Sequence, residues 1–219
     1  YRLVKYHYRL YLRQLDPHLF EHTARWASPE GQGLQMVREL GHGGQGWAML
    51  ATDPSGKQRC LKLISKNGLD HHSFEDLMEE LAAMRDLEDT TRLARNYDCF
   101  QDQHFVYFVN EPYFGGDFTT MVERAAGQGV APTEEWWRTV FTQSLEGLVH
   151  MHMHAMMHCD LKEENLMLKT DDYQHPQVVI IDFGISQAFA SDREKLCGTP
   201  GYIPPETWRT RKWYPKGDC

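Results

Sequence analysis

From Leu34 onward apolar and polar residues alternate in short runs, the period-two pattern of half-buried strands. Leu34 to Leu40 and Trp47 to Thr52 predict two strands around a glycine cluster. Asp53-Pro54-Ser55-Gly56 predicts a turn, and Leu61-Lys62-Leu63-Ile64 closes a third strand. The period then changes. Phe74, Leu77, Leu81, Met84 and Leu87 recur at helical steps, with Ser73 and Asp76 arranged like a capping box. Tyr97 to Phe100 and Phe105 to Val109 predict two further strands, ahead of Gly115-Gly116. Thr133, after Pro132, caps a long helix whose Trp137, Val140, Phe141, Ser144, Leu145, Leu148 and His152 share one stripe. The apolar run Val178-Val179-Ile180-Ile181 predicts a buried strand, and a turn-rich tail starts at Asp182.

A strand-rich unit with one helix, followed by a helix-rich unit, predicts an α+β fold with two lobes. Its divisions fall at an extension, residues 1–33, a small lobe, 34–110, and a helical lobe, 111–219. The extension is aromatic and basic at first and turn-rich at Ser28-Pro29-Glu30-Gly31, so it is expected to be a helical segment wrapped on the main domain.

Composition narrows the function. In 219 residues, 41% are hydrophobic and 25% charged, ordinary globular proportions that rule out disordered and low-complexity classes. A formal charge of -8 argues against a nucleic-acid partner, which needs a basic surface, and suits a basic one. The cysteines, Cys60, Cys99, Cys159, Cys197 and Cys219, are odd in number with no C-x-x-C pair. A disulfide framework or zinc site is not expected, and a reducing, cytoplasmic setting is. No run approaches the ~18 apolar residues of a membrane span, and the opening YRLVKYHYRLYL is not a signal peptide.

Four elements carry chemistry. Gly41-His42-Gly43-Gly44-Gln45-Gly46 matches G-x-G-x-x-G. Alone the string is weak, since a glycine hairpin is often only a turn and dinucleotide sites share it. Those sites need a helix directly after the glycines, whereas Trp47 to Ala51 reads as a strand. Glycines between two strands form a flap able to lie over phosphates. Lys62 follows in the next strand; alternation could simply place it in solvent, or it grips a triphosphate with a carboxylate holding the ammonium. Glu80 is the candidate, with Glu79 its alternative. His158-Cys159-Asp160-Leu161-Lys162-Glu163-Glu164-Asn165 places an aspartate and an asparagine five residues apart, fit for proton acceptor and metal ligand, with a lysine between to neutralise a phosphoryl group. Asp182-Phe183-Gly184 sets a carboxylate at a strand end, where it can hold Mg²⁺.

In this order and spacing the elements resemble the eukaryotic protein kinases, from about Leu34 to Cys219. Asp160-Leu161-Lys162 with Asn165, and Cys197-Gly198-Thr199-Pro200-Gly201-Tyr202, are similar to the serine/threonine type. VVIIDFGIS and CGTPGYIPPE are similar to the calcium/calmodulin-dependent and calcium-dependent branch, although no D-x-[DN]-x-[DN]-G calcium loop occurs. The resemblance implies a bilobal fold, ATP and Mg²⁺ as cofactors, and a protein substrate. It implies that Gly41, Gly43 and Gly46 cover the phosphates and that Lys62 binds them, paired with Glu80. Asp160 would deprotonate the substrate hydroxyl, Lys162 contact the γ-phosphate, and Asn165 and Asp182 hold Mg²⁺. Glu111 would open the hinge that hydrogen-bonds adenine, with Ala48, Cys60 and Met167 around the ring and Asn110 behind it. Pro204-Pro205-Glu206 stands for the usual A-P-E, and Asp218 matches the aspartate opening the next helix.

The chain departs from that pattern at several places. Cys159 replaces the arginine that usually receives a phosphate from the activation loop, and Lys195 stands near the usual phosphosite. Both point to a kinase that needs no such phosphorylation, or to one that no longer catalyses. Asn110 occupies a normally apolar gatekeeper position, and Asn96 falls on the neighbouring strand. Two such amides can satisfy each other, so an Asn96–Asn110 hydrogen bond is expected. Glu164 and Asp117 match positions that hold substrate arginine, although both could simply be solvated and Asp117 could serve the ribose instead. The family continues for several helices past Asp218, so a chain ending there is expected to expose apolar faces near Trp137, for further chain or a partner to cover. Two rivals stand beside the kinase. A scaffold without activity usually lacks one of Lys62, Glu80, Asp160, Asn165 or Asp182, and a small-molecule phosphotransferase would not need the Gly-Thr-Pro-Gly-Tyr stretch.

Overall fold

The computed structural model describes residues 25–43, 46–67, 77, 87, 90–189 and 196–219. They form two compact units, Tyr1–Ala82 with Arg95–Pro112, and Ala83–Ala94 with Tyr113–Cys219. The division falls two residues after the expected boundary at 110/111. It also moves Ala83–Ala94, expected in the small lobe, to the second unit, because Leu87, Leu93 and Ala94 are buried there against Leu148, Met151, Ile180 and Phe183. Burial overrides sequence order here.

The first unit is a six-stranded sheet. Its strands are β1 (Arg25–Trp26), β2 (Gln35–Gly43), β3 (Gly46–Thr52), β4 (Gln58–Ser65), β5 (Asn96–Gln101) and β6 (Phe105–Asn110), in the order β1-β5-β6-β4-β3-β2. All neighbours are antiparallel except β1 and β5, where Arg25 pairs with Phe100 and Trp26 with Gln101 in parallel. Of the extension expected to be helical, residues 1–24 lie outside the described residues, and the rest is this strand and a 3₁₀ turn at Glu30–Gln32. Alternation puts Leu61, Val109, Tyr107 and Met49 on one face, where they pack with Leu34, Ala51 and Phe100. The Phe100 and Tyr107 rings stack at 4.8 Å. Of the helix expected over 73–87, Leu77 is helical and most of the remainder, Ser73, Asp76 and Glu80 included, lies outside the described residues.

The second unit is led by two helices, α1 (Met121–Gly127) and α2 (Glu134–Met153). Thr133 caps α2 as expected, its Oγ1 accepting from the Trp136 amide at 3.2 Å. The face it buries matches expectation at Val140, Ser144 and Leu148 and differs beside them. Trp136, Val140, Ser144, Gly147, Leu148 and Met151 point inward, whereas Phe141 and Leu145 are 54% and 56% exposed. The helix carries two neighbouring apolar rows, and small residues decide between them: a Cβ on Gly147 would meet Ile180 Cδ1 at 2.9 Å. The buried Trp136 indole donates to the Tyr173 carbonyl at 2.7 Å. Beyond α2 come β7 (Met156–Met157), β8 (Leu166–Leu168), β9 (Val178–Ile180), β10 (Gln187–Ala188) and α3 (Pro205–Thr210). β8 pairs with β9 and β7 with β10, both antiparallel, so the loops after β7 and β9 are held at fixed ends.

Candidate active site

In the first unit the strand register assembles one set of residues. Gly41 pairs with Ala48, Ala48 with Lys62, and Lys62 with Phe108; Leu50 pairs with Cys60, Cys60 with Asn110, and Asn110 with Asn96. Cross-strand partners share a face, so Ala48, Lys62, Cys60 and Asn110 stand together, opposite the Leu61 core. Burial pushes the Cys60 thiol up to about 11, against the opposing charge of Lys62, which makes it an inert wall rather than a nucleophile. The glycines differ in kind. Gly46 has φ +129, and a Cβ there would lie 2.0 Å from the Leu63 carbonyl oxygen, so the strand itself demands glycine. A Cβ on Gly41 would meet nothing within 4 Å, so the fold leaves that position bare. Glu80, expected to hold Lys62, lies outside the described residues, as do Glu79, Gly44, Gln45 and Lys195.

The expected amide pair is present. Asn96 Nδ2 donates to Asn110 Oδ1 at 2.9 Å and to the Asp98 carbonyl at 3.1 Å. The Glu111 amide donates to the Arg95 carbonyl at 3.0 Å, fixing the start of the expected hinge.

In the second unit the loop between β7 and β8 is anchored from below. Asp218, its side chain wholly buried, accepts the His158 amide on Oδ2 and the Cys159 amide on Oδ1, both at 2.8 Å, with His152 Nε2 at 2.9 Å. Cys159 is thereby held at φ +66, an uncommon conformation for a residue with a Cβ. His158 Nε2 donates to the Ile181 carbonyl at 3.0 Å while its Nδ1 accepts the Asp160 amide at 3.2 Å, which fixes the imidazole tautomer. Cys159 does not face solvent. It packs with Ile203, Met157 and Trp213 in an apolar cluster, and burial, then the Asp218 charge, raises its thiol far above the ordinary range.

Asp160 is the centre of this set. Its Oδ1 accepts the Thr199 amide at 2.8 Å and the Thr199 hydroxyl at 2.7 Å, and its Oδ2 lies 3.1 Å from Lys162 Nζ. Lys162 Nζ also donates to Thr199 Oγ1 at 2.7 Å, closing a triangle. Burial alone would raise the Asp160 carboxyl, but the bonds from Thr199 and Lys162 and the lysine charge outweigh it and hold the pKa below the ordinary value. The group is therefore an ionised acceptor. Asn165, 4% exposed, donates Nδ2 to the Asp160 carbonyl at 2.8 Å and to Oδ2 at 3.3 Å. That leaves Asn165 Oδ1, which makes no bond with any described residue, as an oxygen donor. The Ile181 amide donates to the Asn165 carbonyl at 2.9 Å, tying the strand end before Asp182 to this loop. Asp182 has φ +63, while Phe183 beside it is buried in the core. Among the described residues no cluster of three or more His, Cys, Asp or Glu could enclose a metal. A carboxylate and an amide oxygen instead fit Mg²⁺, which keeps waters and phosphate oxygens as its other ligands.

The remaining expected residues are placed as follows. Asp117 bridges to Met167, and its Oδ1 accepts from Thr119 Oγ1 at 2.7 Å and Thr120 Oγ1 at 2.8 Å, so it organises the turn before α1. Burial would raise that carboxyl, but the threonine bonds hold it low. The Phe118 amide donates to the Glu163 carbonyl, which joins this turn to the exposed Glu163 and Glu164. The Tyr202 hydroxyl donates to the Glu163 carboxylate, a bond that pushes the phenol up to about 12. Sequence reasoning missed two parts of this set: Thr199 as the clamp on Asp160, and Asp218 as the buried anchor of the loop.

The description of the protein kinase domain matches residues 34–219. Calcium-dependent protein kinase 4 of Plasmodium falciparum is 29% identical over 175 residues, covering 78% of this chain and 32% of that protein. Calcium/calmodulin-dependent protein kinase type 1 of Caenorhabditis elegans is 31% identical over 177 residues, 80% of this chain and 49% of that protein. CDPK-related kinase 5 of Arabidopsis thaliana is 31% identical over 175 residues, 77% of this chain and 28% of that protein. The chain spans less than half the length of these relatives.

Proposed function

The chain belongs to the protein kinase family, and on that premise we propose that it moves the γ-phosphate of ATP to serine or threonine hydroxyls of basic protein substrates. The observation that carries this reading is the Asp160–Lys162–Thr199 triangle, with Asn165 bonded beneath it. The substrate oxygen bonds to the γ-phosphorus as the bond to the β-γ bridging oxygen of ADP breaks, and the hydroxyl proton passes to Asp160. Lys162 meets the developing charge, so the chemistry is positioning plus electrostatics. Asn165 and Asp182 would hold Mg²⁺, which when bound neutralises the phosphate oxygens. In the first unit, Gly41, Gly43, Gly46, Ala48, Cys60, Lys62, Asn110 and Glu111 would form the nucleotide face, with Glu80 as partner of Lys62; the family pattern assigns nucleotide contact to Asp117 and Met167 as well.

Several features support the finer reading. Burial of Cys159 among Ile203 and Trp213 leaves no cation there to receive an activation-loop phosphate, which supports a kinase independent of that phosphorylation. The -8 charge and the joined acidic turns at Asp117 and Glu163–Glu164 support a basic substrate. No disulfide joins the five cysteines, in keeping with a reducing compartment, and no described helix is long and apolar enough to cross a membrane. Exposed Phe141, Leu145, Val149 and Met153 along α2 support cover by further chain or a partner. The test is transfer of labelled phosphate from ATP·Mg²⁺ to a library of basic Ser/Thr peptides, beside an Asp160→Asn control. Transfer is expected and is expected to vanish in the control. An intact protein that binds ATP without transferring phosphate would replace this reading with a scaffold.

A further inference from the structure

The orientation of one side-chain amide is settled by its neighbours. Asn96 Nδ2 sits against two backbone carbonyls, Asp98 at 3.1 Å and Val109 at 3.4 Å, and only an N–H donor satisfies both. The atom of Asn110 that faces it at 2.9 Å must therefore be Oδ1. Asn110 Nδ2 consequently points away from Asn96 and makes no bond with any described residue, while Oδ1 keeps a second lone pair. Donor and acceptor lie side by side, on the sheet face that carries Ala48, Cys60 and Lys62.

A side-by-side amide donor and acceptor complements one edge of adenine. The N7 acceptor and the N6 amine of that edge match an asparagine bidentately. Guanine offers two acceptors, N7 and O6, and would set O6 against Asn110 Oδ1. We propose that Asn110 reads the N6/N7 edge of the nucleotide base, with Asn96 as the residue that locks its amide in the reading orientation. This rests on the nucleotide reading above and makes the position a specificity element for adenine, where the family pattern has an apolar wall.

The experiment compares ATP, 7-deaza-ATP and GTP with the complete protein, by calorimetric affinity and by kcat/KM for peptide phosphorylation. 7-Deaza-ATP keeps the N6 amine and replaces N7 by a C–H, so it removes one bond and leaves Asn110 Nδ2 unpaired. A preference for ATP over 7-deaza-ATP of roughly tenfold is expected, the scale of one lost hydrogen bond. In Asn110→Leu that ratio should fall to near one, and in Asn96→Ala it should shrink, because a freed amide can flip. The ratio is the decisive readout, since a merely structural role changes both nucleotides alike. Equal use of ATP and 7-deaza-ATP by the unaltered protein, which needs no variant to fold, overturns the proposal and leaves the kinase reading in place. A ratio that persists in Asn110→Leu also overturns it. A protein that binds none of the three nucleotides overturns both.

Discussion

Removing the carboxylate of Asp218 tests how the catalytic loop is held, whatever reaction it performs. In Asp218→Ala the His158 and Cys159 amides lose their acceptor, as does His152 Nε2. The imidazole is 22% exposed and can turn to water, so the two backbone donors dominate. Leaving each buried and unpaired costs about 1–3 kcal/mol. Removal of the buried charge returns part of that, because its desolvation is itself unfavourable. Release of Cys159 from φ +66 further favours a rearranged loop over the native one. The net expectation is a loss of about 3 kcal/mol, or roughly 10 °C in Tm for a unit of this size. Asp218→Asn should fall between, since it keeps one acceptor oxygen for two donors. Thermal unfolding by circular dichroism measures the first effect. Hydrogen exchange over residues 157–161 measures the second, with faster exchange expected at His158 and Cys159 specifically. A Tm within about 2 °C of the parent, together with unchanged protection of those two amides, would refute the anchoring argument.

Thr199→Val removes the hydroxyl shared by Asp160 and Lys162 but keeps the backbone bond to Asp160. With two charge-assisted bonds lost and one retained, kcat should fall roughly 30-fold, about 2 kcal/mol, with the KM for ATP little changed and with recovery in Thr199→Ser. Gly46→Ala should lower stability by at least about 2 kcal/mol, because its Cβ would strike the Leu63 carbonyl, whereas Gly41→Ala should unfold like the parent and lose nucleotide affinity instead. The Asp160 carboxyl titrates below its ordinary value in the folded protein, so its stabilising contribution is complete above the unfolded pKa and disappears as pH falls through the lower, folded one. Urea unfolding should therefore show a stability gap between the parent and Asp160→Asn that is flat from about pH 5 to 8 and narrows below about pH 4. A gap that widens toward acid would contradict the cited direction of the shift.

Much of this was legible because strand alternation and local spacing are short-range signals. Leu61-Lys62-Leu63 announces a strand with one outward cation, and Asp160 to Asn165 carries its chemistry within six residues. What escaped is long-range. Thr199 meets Asp160 across 39 residues of chain, and Asp218 meets His158 across 60, so no window on the sequence contains both partners. Phe141 and Leu145 were misassigned to the α2 stripe for another reason: Trp136 and Trp137 begin two adjacent apolar rows, and only the close approach of Ile180 to Gly147 chooses between them. The Asn96–Asn110 bond could be anticipated, because two amides in neighbouring strands are each other's cheapest partner.

The two residues of β1 matter beyond their size. Arg25 and Trp26 cap the edge of β5, with Arg25 bonded to Asp98 at 2.8 Å and Lys66 lying 4.4 Å from the Trp26 ring. They precede the start of the matched family region at residue 34. A polypeptide trimmed to begin at Leu34 would keep every residue of the proposed chemistry and still bare the backbone donors and acceptors of Phe100 and Gln101. Such an open edge recruits strands from other molecules, so the trimmed form should self-associate as it is concentrated, while a form that retains residue 25 onward stays dispersed. The practical limit of the folding unit is set by hydrogen bonding at the sheet margin, several residues ahead of where the family signature begins.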